Sequence, residues 1–146
     1  MTSTPAGEPG KVAFADVPPN RRRGGDLRVL LSPRTCAATA GFLGAGSLMP
    51  GEFVSEHYHP YSEEYFYIVG GRMTLLLEGR PIELVAGDSF MIPKGLRHRM
   101  DNHGDEEMFA VFFLGPLAPK PELGHVDTEE LPSSGGELPQ VGAVTS

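Results

Sequence analysis

Residues 51–71 read GEFVSEHYHPYSEEYFYIVGG and residues 87–102 read GDSFMIPKGLRHRMDN, and these two stretches decide the fold. Both contain short runs of apolar and aromatic residues that end at glycine or proline. The run Glu64–Val69 is rich in aromatic and β-branched residues, which favour a β-strand, and Gly70-Gly71 follows it as a turn. The pattern predicts strands joined by tight turns.

The same pattern extends over most of the chain, with turn signals about every ten residues. The candidate strand segments are Asp26–Leu31, Thr39–Met49, Phe53–His59, Glu64–Val69, Met73–Leu77, Pro81–Val85, Ser89–Ile92, Leu96–Asp101 and Glu107–Leu114. No window carries a helical repeat of apolar residues over three turns. We therefore predict an all-β fold with about nine or ten strands and almost no helix.

The length of 146 residues fits one domain. Residues 1–10 and the tail 130–146 are small, polar and rich in glycine and proline, so we expect both ends to be disordered. The ordered domain is then predicted to span residues 11–129.

Acidic residues outnumber basic ones by 19 to 12, for a net charge of −7. This balance argues against binding to nucleic acid or to an anionic membrane, because both need a basic face. No apolar run is long enough to span a bilayer, and the first residues lack the pattern of a secretory signal. A single cysteine, Cys36, excludes an internal disulfide framework, so we expect a cytoplasmic protein.

Four residues have the chemistry and spacing of a metal site. His57 and His59 are two positions apart, and such residues on a strand share one face, so both imidazoles can reach one ion. Glu64 follows after the break at Pro60 and can return a carboxylate to the same point. His98 lies on another candidate strand. Three imidazoles and one carboxylate suit a divalent metal, with zinc preferred and iron, manganese, cobalt or nickel as alternatives.

These histidines could also be unrelated surface or core residues, and Glu63 could supply the carboxylate in place of Glu64. The remaining histidines are predicted to lie outside the site. His103 falls in a turn and is expected to be solvated, with a supporting or rare ligand role left open. His125 falls in a proline-rich segment and is expected to have a surface or packing role.

The full spacing resembles the two motifs of the cupin superfamily at every fixed position. The first motif reads Gly51-x5-His57-x-His59-x4-Glu64-x6-Gly71, and the second reads Gly87-x5-Pro93-x-Gly95-x2-His98-x3-Asn102. The resemblance implies a single-domain antiparallel β-barrel or jelly roll with a metal inside its mouth. It also suggests His57, His59, Glu64 and His98 as ligands. The distance from Glu64 to Gly71 matches the motif, which favours Glu64 over Glu63.

Longer stretches are similar to a narrower group, the small cupin cyclase proteins of aromatic polyketide gene clusters in actinomycetes. These stretches are residues 17–26 (VPPNRRRGGD), 56–64 (EHYHPYSEE) and 109–119 (FAVFFLGPLAP). The similarity covers about residues 13–129. It implies an enzyme that closes rings by aldol condensation in a poly-β-ketone made by a type II polyketide synthase, with the metal polarising a β-diketone.

Strand parity predicts an apolar pocket beside the metal. Phe53 and Phe66 share the parity of a ligand, Met100 stands beside His98, and Phe112 joins them in the substrate pocket. In the alternative interpretation these side chains only fill the barrel. The general base is not evident. A metal-bound hydroxide, Glu64 and Tyr67 are the candidates.

Two other functions remain open. One is a metal-dependent oxygenase that tailors an aromatic polyketide, because iron-dependent cupin oxygenases use the same ligand set. The other is a non-catalytic accessory subunit of the synthase.

The expected partners are a polyketide intermediate, which an acyl carrier protein can present, and a second copy of the chain in a homodimer. A carrier is acidic, so docking needs a basic patch. Arg21-Arg22-Arg23 with Arg28 and Arg34 is the candidate. The alternative is that this arginine arm packs on the barrel or across a dimer.

Overall fold

A computed structural model describes residues 10–132 of the chain. The expectation of disordered ends at residues 1–10 and 130–146 falls for the most part outside the described residues.

The described residues form ten strands, one short α-helix and two single-turn 3-10 helices. The strands are β1 (Asp26–Leu31), β2 (Phe42–Leu48), β3 (Phe53–Tyr58), β4 (Glu63–Gly70), β5 (Arg72–Leu77), β6 (Arg80–Val85), β7 (Ser89–Ile92), β8 (His98–Asp101), β9 (Met108–Gly115) and β10 (Val126–Asp127). The helix α1 spans Pro33–Cys36, and the 3-10 helices span Phe14–Asp16 and Pro121–Leu123. The prediction of an all-β fold is confirmed.

The strands form two five-stranded antiparallel sheets. The first sheet has the order β1-β2-β9-β4-β7, and the second has the order β10-β3-β8-β5-β6. Neighbours in the sheets are distant in sequence, as when β9 lies between β2 and β4. The two sheets face each other as a barrel-like sandwich, the architecture expected of a jelly roll.

The core lies between the sheets and follows from strand alternation. In β4, Glu64, Phe66 and Ile68 are buried while Tyr65 and Tyr67 are exposed. The inward residues join one apolar cluster with side chains from β5, β8 and β9. Ile68 on β4 and Leu75 on β5 are completely enclosed in this cluster.

The short helix α1 is a local exception to the β pattern. Ser32 caps its N-terminus by accepting hydrogen bonds from the backbone N–H groups of Arg34 and Thr35. Pro33 occupies the first turn, where a missing N–H costs nothing. Four residues are too few for an apolar period, so the sequence pattern gave no signal for this helix. This helix, the one α-helix in the described part of the chain, is too short to cross a membrane.

Candidate metal centre

The structure brings the four predicted ligand residues together inside the barrel. His57 on β3 pairs in register with His98 on β8, and His59 follows the end of β3. Glu64 reaches the same point from β4 in the opposite sheet. One ligand-type atom of each residue lies within 4.8 Å of those of the other three, and all four residues are buried.

The alternative carboxylate, Glu63, lies elsewhere. Its side chain accepts a hydrogen bond from the hydroxyl of Tyr65 on the outer face of the sheet. Glu64 is the carboxylate that points inward, as alternation along β4 requires.

Backbone carbonyls fix the orientation of all three imidazoles. Nδ1 of His57 lies 2.8 Å from the carbonyl oxygen of Ser55. Nδ1 of His59 lies 3.0 Å from that of Gly124, and Nδ1 of His98 lies 3.0 Å from that of Leu96. A carbonyl oxygen only accepts, so each Nδ1 donates a proton and each Nε2 keeps a free lone pair. This is the arrangement of histidine ligands whose tautomer is set by an outer hydrogen bond.

The four groups fit a cation. The Nε2 atoms of His59 and His98 lie 3.3 and 3.2 Å from the same oxygen of Glu64. With Nδ1 protonated, both nitrogens and the carboxylate are acceptors, so lone pairs face lone pairs. Nε2 of His98 is buried and has no hydrogen-bond partner among residues 10–132. A divalent cation held by these atoms would remove the repulsion and satisfy the orphaned nitrogen.

Electrostatics prepares the groups for this role. Burial lowers the pKa of the His57 imidazole well below its ordinary value, and His98, His59 and Arg23 lower it further, so the ring is neutral. Burial raises the pKa of Glu64, and protons donated to its carboxylate from His59 and His98 lower it more; a cation bound at the two Nε2 atoms would hold the carboxyl ionised in the same way. Neutral imidazoles and an ionised carboxylate are the forms that ligate a metal.

A β-bulge in β3 decides which side chains accompany His57. Val54 pairs with Met100 and His57 pairs with His98. Between these pairs β3 has two residues, Ser55 and Glu56, whereas β8 has one. The extra residue puts Val54 on the same inner face as His57.

Phe53 is therefore not a pocket residue, which corrects the prediction. Its ring lies on the outer face, where the Arg99 guanidinium carbon is 4.0 Å from the ring centre. Simple alternation back from His57 assigns Phe53 to the inner face, and the bulge reverses this.

Three of the four donor residues, His57, His59 and Glu64, line a cavity of about 90 Å³ whose other walls are mostly apolar. Met100 and Phe112 line it, as predicted, together with Val29, Phe42 and Leu114. Phe66 lines a smaller adjoining space that Glu64, Met100 and Phe112 also border.

Tyr67 does not lie in the cavity. It is three positions after Glu64 on β4, so it faces outward, and its side chain is 49% exposed. Tyr67 is therefore not placed to act as the general base, because its side chain lies on the outer face of the sheet.

Two buried residues near the site, Arg23 and His125, were not assigned to it from sequence. Arg23 is buried, lines the cavity and binds Asp127, 104 positions away. His125, expected at the surface or in packing, is buried and its Nδ1 atom has no hydrogen-bond partner. Neither residue belongs to a sequence motif, so their position near the donor group could not be predicted from the sequence. His103 is exposed, as expected.

Two antiparallel sheets that enclose three imidazoles and a carboxylate define the cupin class. The cupin domain family model matches residues 46–114. The protein SchB of Streptomyces halstedii is 59% identical over 119 residues, which cover 82% of this chain and 86% of that protein. The tetracenomycin polyketide synthase protein TcmJ of Streptomyces glaucescens is 44% identical over 132 residues, which cover 90% of this chain and 89% of that protein.

Among solved structures, the polyketide cyclase RemF from Streptomyces resistomycificus superposes with a TM-score of 0.59 and 23% identity, covering 72% of this chain and 78% of that one. That likeness concerns the fold. The chain belongs to the cupin family, and its relatives there include SchB and the polyketide synthase protein TcmJ. The expected resemblance is thereby confirmed.

Proposed function

We propose that this cupin is a metal-dependent cyclase that closes a ring of a poly-β-ketone by aldol condensation. The observation that carries the proposal is the convergence of three imidazoles and one carboxylate at the wall of a mostly apolar cavity. The names of the relatives TcmJ and RemF support the polyketide context.

His57, His59, Glu64 and His98 would hold the ion, with zinc as the first choice. When bound, a divalent metal polarises the two oxygens of a β-diketone and makes the carbon between them more acidic. An ion held by these four residues could still bind substrate, because such ions can take more than four ligands.

The chain's own groups would perform the remaining steps. Among the described residues that line the cavity, Glu64 is the carboxylate, so we assign it the α-proton. The C–H electron pair then forms the enolate, whose carbon attacks a second carbonyl of the same chain, and the proton returns to the new alkoxide oxygen. The apolar walls from Val29, Phe42 and Phe112 would hold the folded chain and exclude water, which favours one ring closure over spontaneous ones.

The arginines near the N-terminus divide into packed and exposed residues, and the exposed ones could bind an acidic carrier protein. Arg23 is buried, and Arg28 binds Asp26 while its guanidinium stacks over Phe14, so these two pack on the barrel. Arg21 is exposed. We propose that an acyl carrier protein delivers the polyketide in the cytoplasm and docks at the exposed part of the arm.

The test is metal analysis combined with product profiling. We expect His57→Ala and His98→Ala to lose bound metal and to release the mixture of spontaneously cyclised products. His103→Ala, an exposed histidine outside the cluster, is the matched control and keeps both. Unchanged products from metal-free variants would support an accessory role instead. Oxygen consumption that depends on iron(II) would indicate an oxygenase.

A further inference from the structure

Arg23 is the charged side chain that shares the cavity with the metal ligands. It is 5% exposed and stands among apolar walls. Its Nε and Nη2 atoms donate to the carboxylate of Asp127 over 2.6 and 3.2 Å. Nη1 makes no hydrogen bond to any residue in the range 10–132.

The position of Arg23 is fixed from both sides. The carbonyl oxygen of Arg23 accepts a hydrogen bond from the N–H of Ser55. Ser55 lies in the bulge, where the pairing of β3 with β8 is interrupted. Asp127, the partner of Arg23, pairs in register with His57. The guanidinium is therefore held beside the metal ligands by the same strand that carries one of them.

The charges in the cavity do not cancel. With Nε2 of each histidine as a metal ligand the imidazoles would carry no charge, so the charged side chains are the carboxylates of Glu64 and Asp127 and the guanidinium of Arg23, which is paired with Asp127. With a divalent ion added, one net positive charge remains in a largely apolar cavity, where charge is costly. A bound monoanion balances it.

We propose that Arg23 and the metal centre together form an anion subsite that binds the substrate as the enolate of a 1,3-dicarbonyl compound. This rests on the proposed function and names the form of the bound dicarbonyl that the site stabilises once the α-proton has been removed. Nη1 donates to an enolate oxygen, and the apolar walls contact the flat carbon skeleton. Arg23 is then a specificity residue for the charged form, in addition to its part in holding β10.

The test uses zinc-loaded full-length protein and benzoylacetone, a 1,3-diketone whose enolate absorbs at a different wavelength from the neutral form. We expect the wild-type protein to lower the apparent pKa of the bound probe. Arg23→Gln should bind the enolate at least about tenfold more weakly, as expected for a hydrogen bond to a charged group, and keep its zinc. Arg23→Lys should restore part of the affinity.

Two controls separate recognition of charge from a structural role. The 2,2-dimethyl derivative of the probe cannot form the conjugated enolate and should bind wild type and Arg23→Gln equally. Arg80→Gln removes an exposed arginine on β6, outside the cavity lining, and should change nothing.

For Asp127→Asn we expect no loss of affinity for the enolate, unlike Arg23→Gln. The change at Asp127 removes a negative charge while leaving an oxygen that can accept from Arg23, so the enolate should bind as tightly as in wild type or more tightly. If Asp127→Asn weakens enolate binding like Arg23→Gln, or if both probes weaken together, Arg23 acts only as a structural link and the subsite is refuted.

The outcome is independent of the cyclase test. A wild-type protein that closes rings selectively but binds enolate no better than the neutral analogue overturns the subsite and leaves the cyclase proposal intact. Enolate binding that depends on Arg23, without any effect of the protein on products, supports the subsite and overturns the cyclase proposal.

Discussion

Each imidazole of the donor group is committed to one tautomer before any metal arrives. Because Nδ1 of His57, His59 and His98 donates to a backbone carbonyl, the Nε2 lone pairs are directed to one point. Glu64 is the sole carboxylate in this buried group, so it combines ligation with the proposed acceptance of a proton.

Glu64→Gln separates the two roles of this residue. The amide oxygen can still ligate but cannot take up the α-proton. We expect metal content to persist, with weaker affinity, and ring closure to slow by about 100-fold or more. Metal analysis and the rate of product formation measure the two effects. A variant that keeps both metal and full rate shows that Glu64 is not the proton acceptor.

His125 makes the stability of the fold depend on pH. Burial lowers its pKa to about 3, and Arg23 contributes to the shift, so the ring is neutral in the folded protein. The unfolded chain takes up a proton below about pH 6.5, so the free energy of unfolding falls as the pH drops from there towards the folded value.

His125→Gln should remove this part of the pH dependence. The wild-type protein should lose about 2 kcal/mol more stability than the variant between pH 7.5 and pH 5. Denaturant titrations at the two pH values measure the difference. His103→Gln, at an exposed histidine, should behave like wild type; equal losses in all three proteins would contradict the assignment.

At the scale of elements, the turns between strands fix how the ligands meet. Gly71 links β4 to β5 with a φ of +73°, and a Cβ placed there would lie 2.3 Å from the carbonyl oxygen of Glu107. Gly79, in the turn between β5 and β6, has a φ of +79° but open space around it. Both glycines have a left-handed backbone, but only at Gly71 would an added Cβ collide with another segment.

This pair gives a matched test of the turn. Gly79→Ala should cost about 1 kcal/mol because of its left-handed backbone. Gly71→Ala should cost about 2 kcal/mol more, because the backbone of Glu107 must also move. Thermal or denaturant unfolding measures both, and equal costs would show that the approach of Glu107 is relaxed at no cost.

The strands and the ligand cluster could be predicted because they depend on local signals. Alternation, turn residues and fixed spacing located nearly every strand and the four ligands. The same alternation would also have placed Tyr67 outside, since an odd separation from Glu64 reverses the face of β4.

Other features depend on contacts between distant segments. The bulge that excludes Phe53 arises where β3 pairs with β8, and nothing in residues 53–57 marks it. Arg23 lies in a run of three arginines that look alike in sequence, and only its partner Asp127 separates it from its neighbours.

At the scale of the whole molecule, both ends of the described chain meet at β3. Arg23 and Thr128 bind the two bulge residues Ser55 and Glu56 from opposite ends of the sequence. Arg99 extends the link through its ion pair with Glu129. The metal centre is thus closed by segments that flank the barrel in sequence.

The outer face of the first sheet carries an exposed apolar patch formed by Tyr65, Tyr67 and Val69 of β4 with Met91 of β7. Such a patch is typical of an interaction surface, and we propose that it forms the homodimer interface.

Tyr67→Glu should then convert a dimer to a monomer, because it places a charge in a surface that would be dehydrated. Light scattering coupled to size-exclusion chromatography measures the mass. Leu123→Glu changes an equally exposed apolar residue outside the patch and should leave the dimer intact. A Tyr67→Glu protein that stays dimeric would place the interface elsewhere.

The carbonyl oxygens that orient the three imidazoles have a consequence for how such a protein can diversify. A backbone oxygen is present whatever residue carries it, so substitutions at Ser55, Leu96 or Gly124 that keep the backbone path leave the ligand tautomers unchanged. Cavity walls such as Val29, Phe42 and Phe112 have no such constraint. For the cyclase proposed above, new ring patterns could therefore be reached by changing the walls while the four candidate ligands and their tautomers stay unaltered.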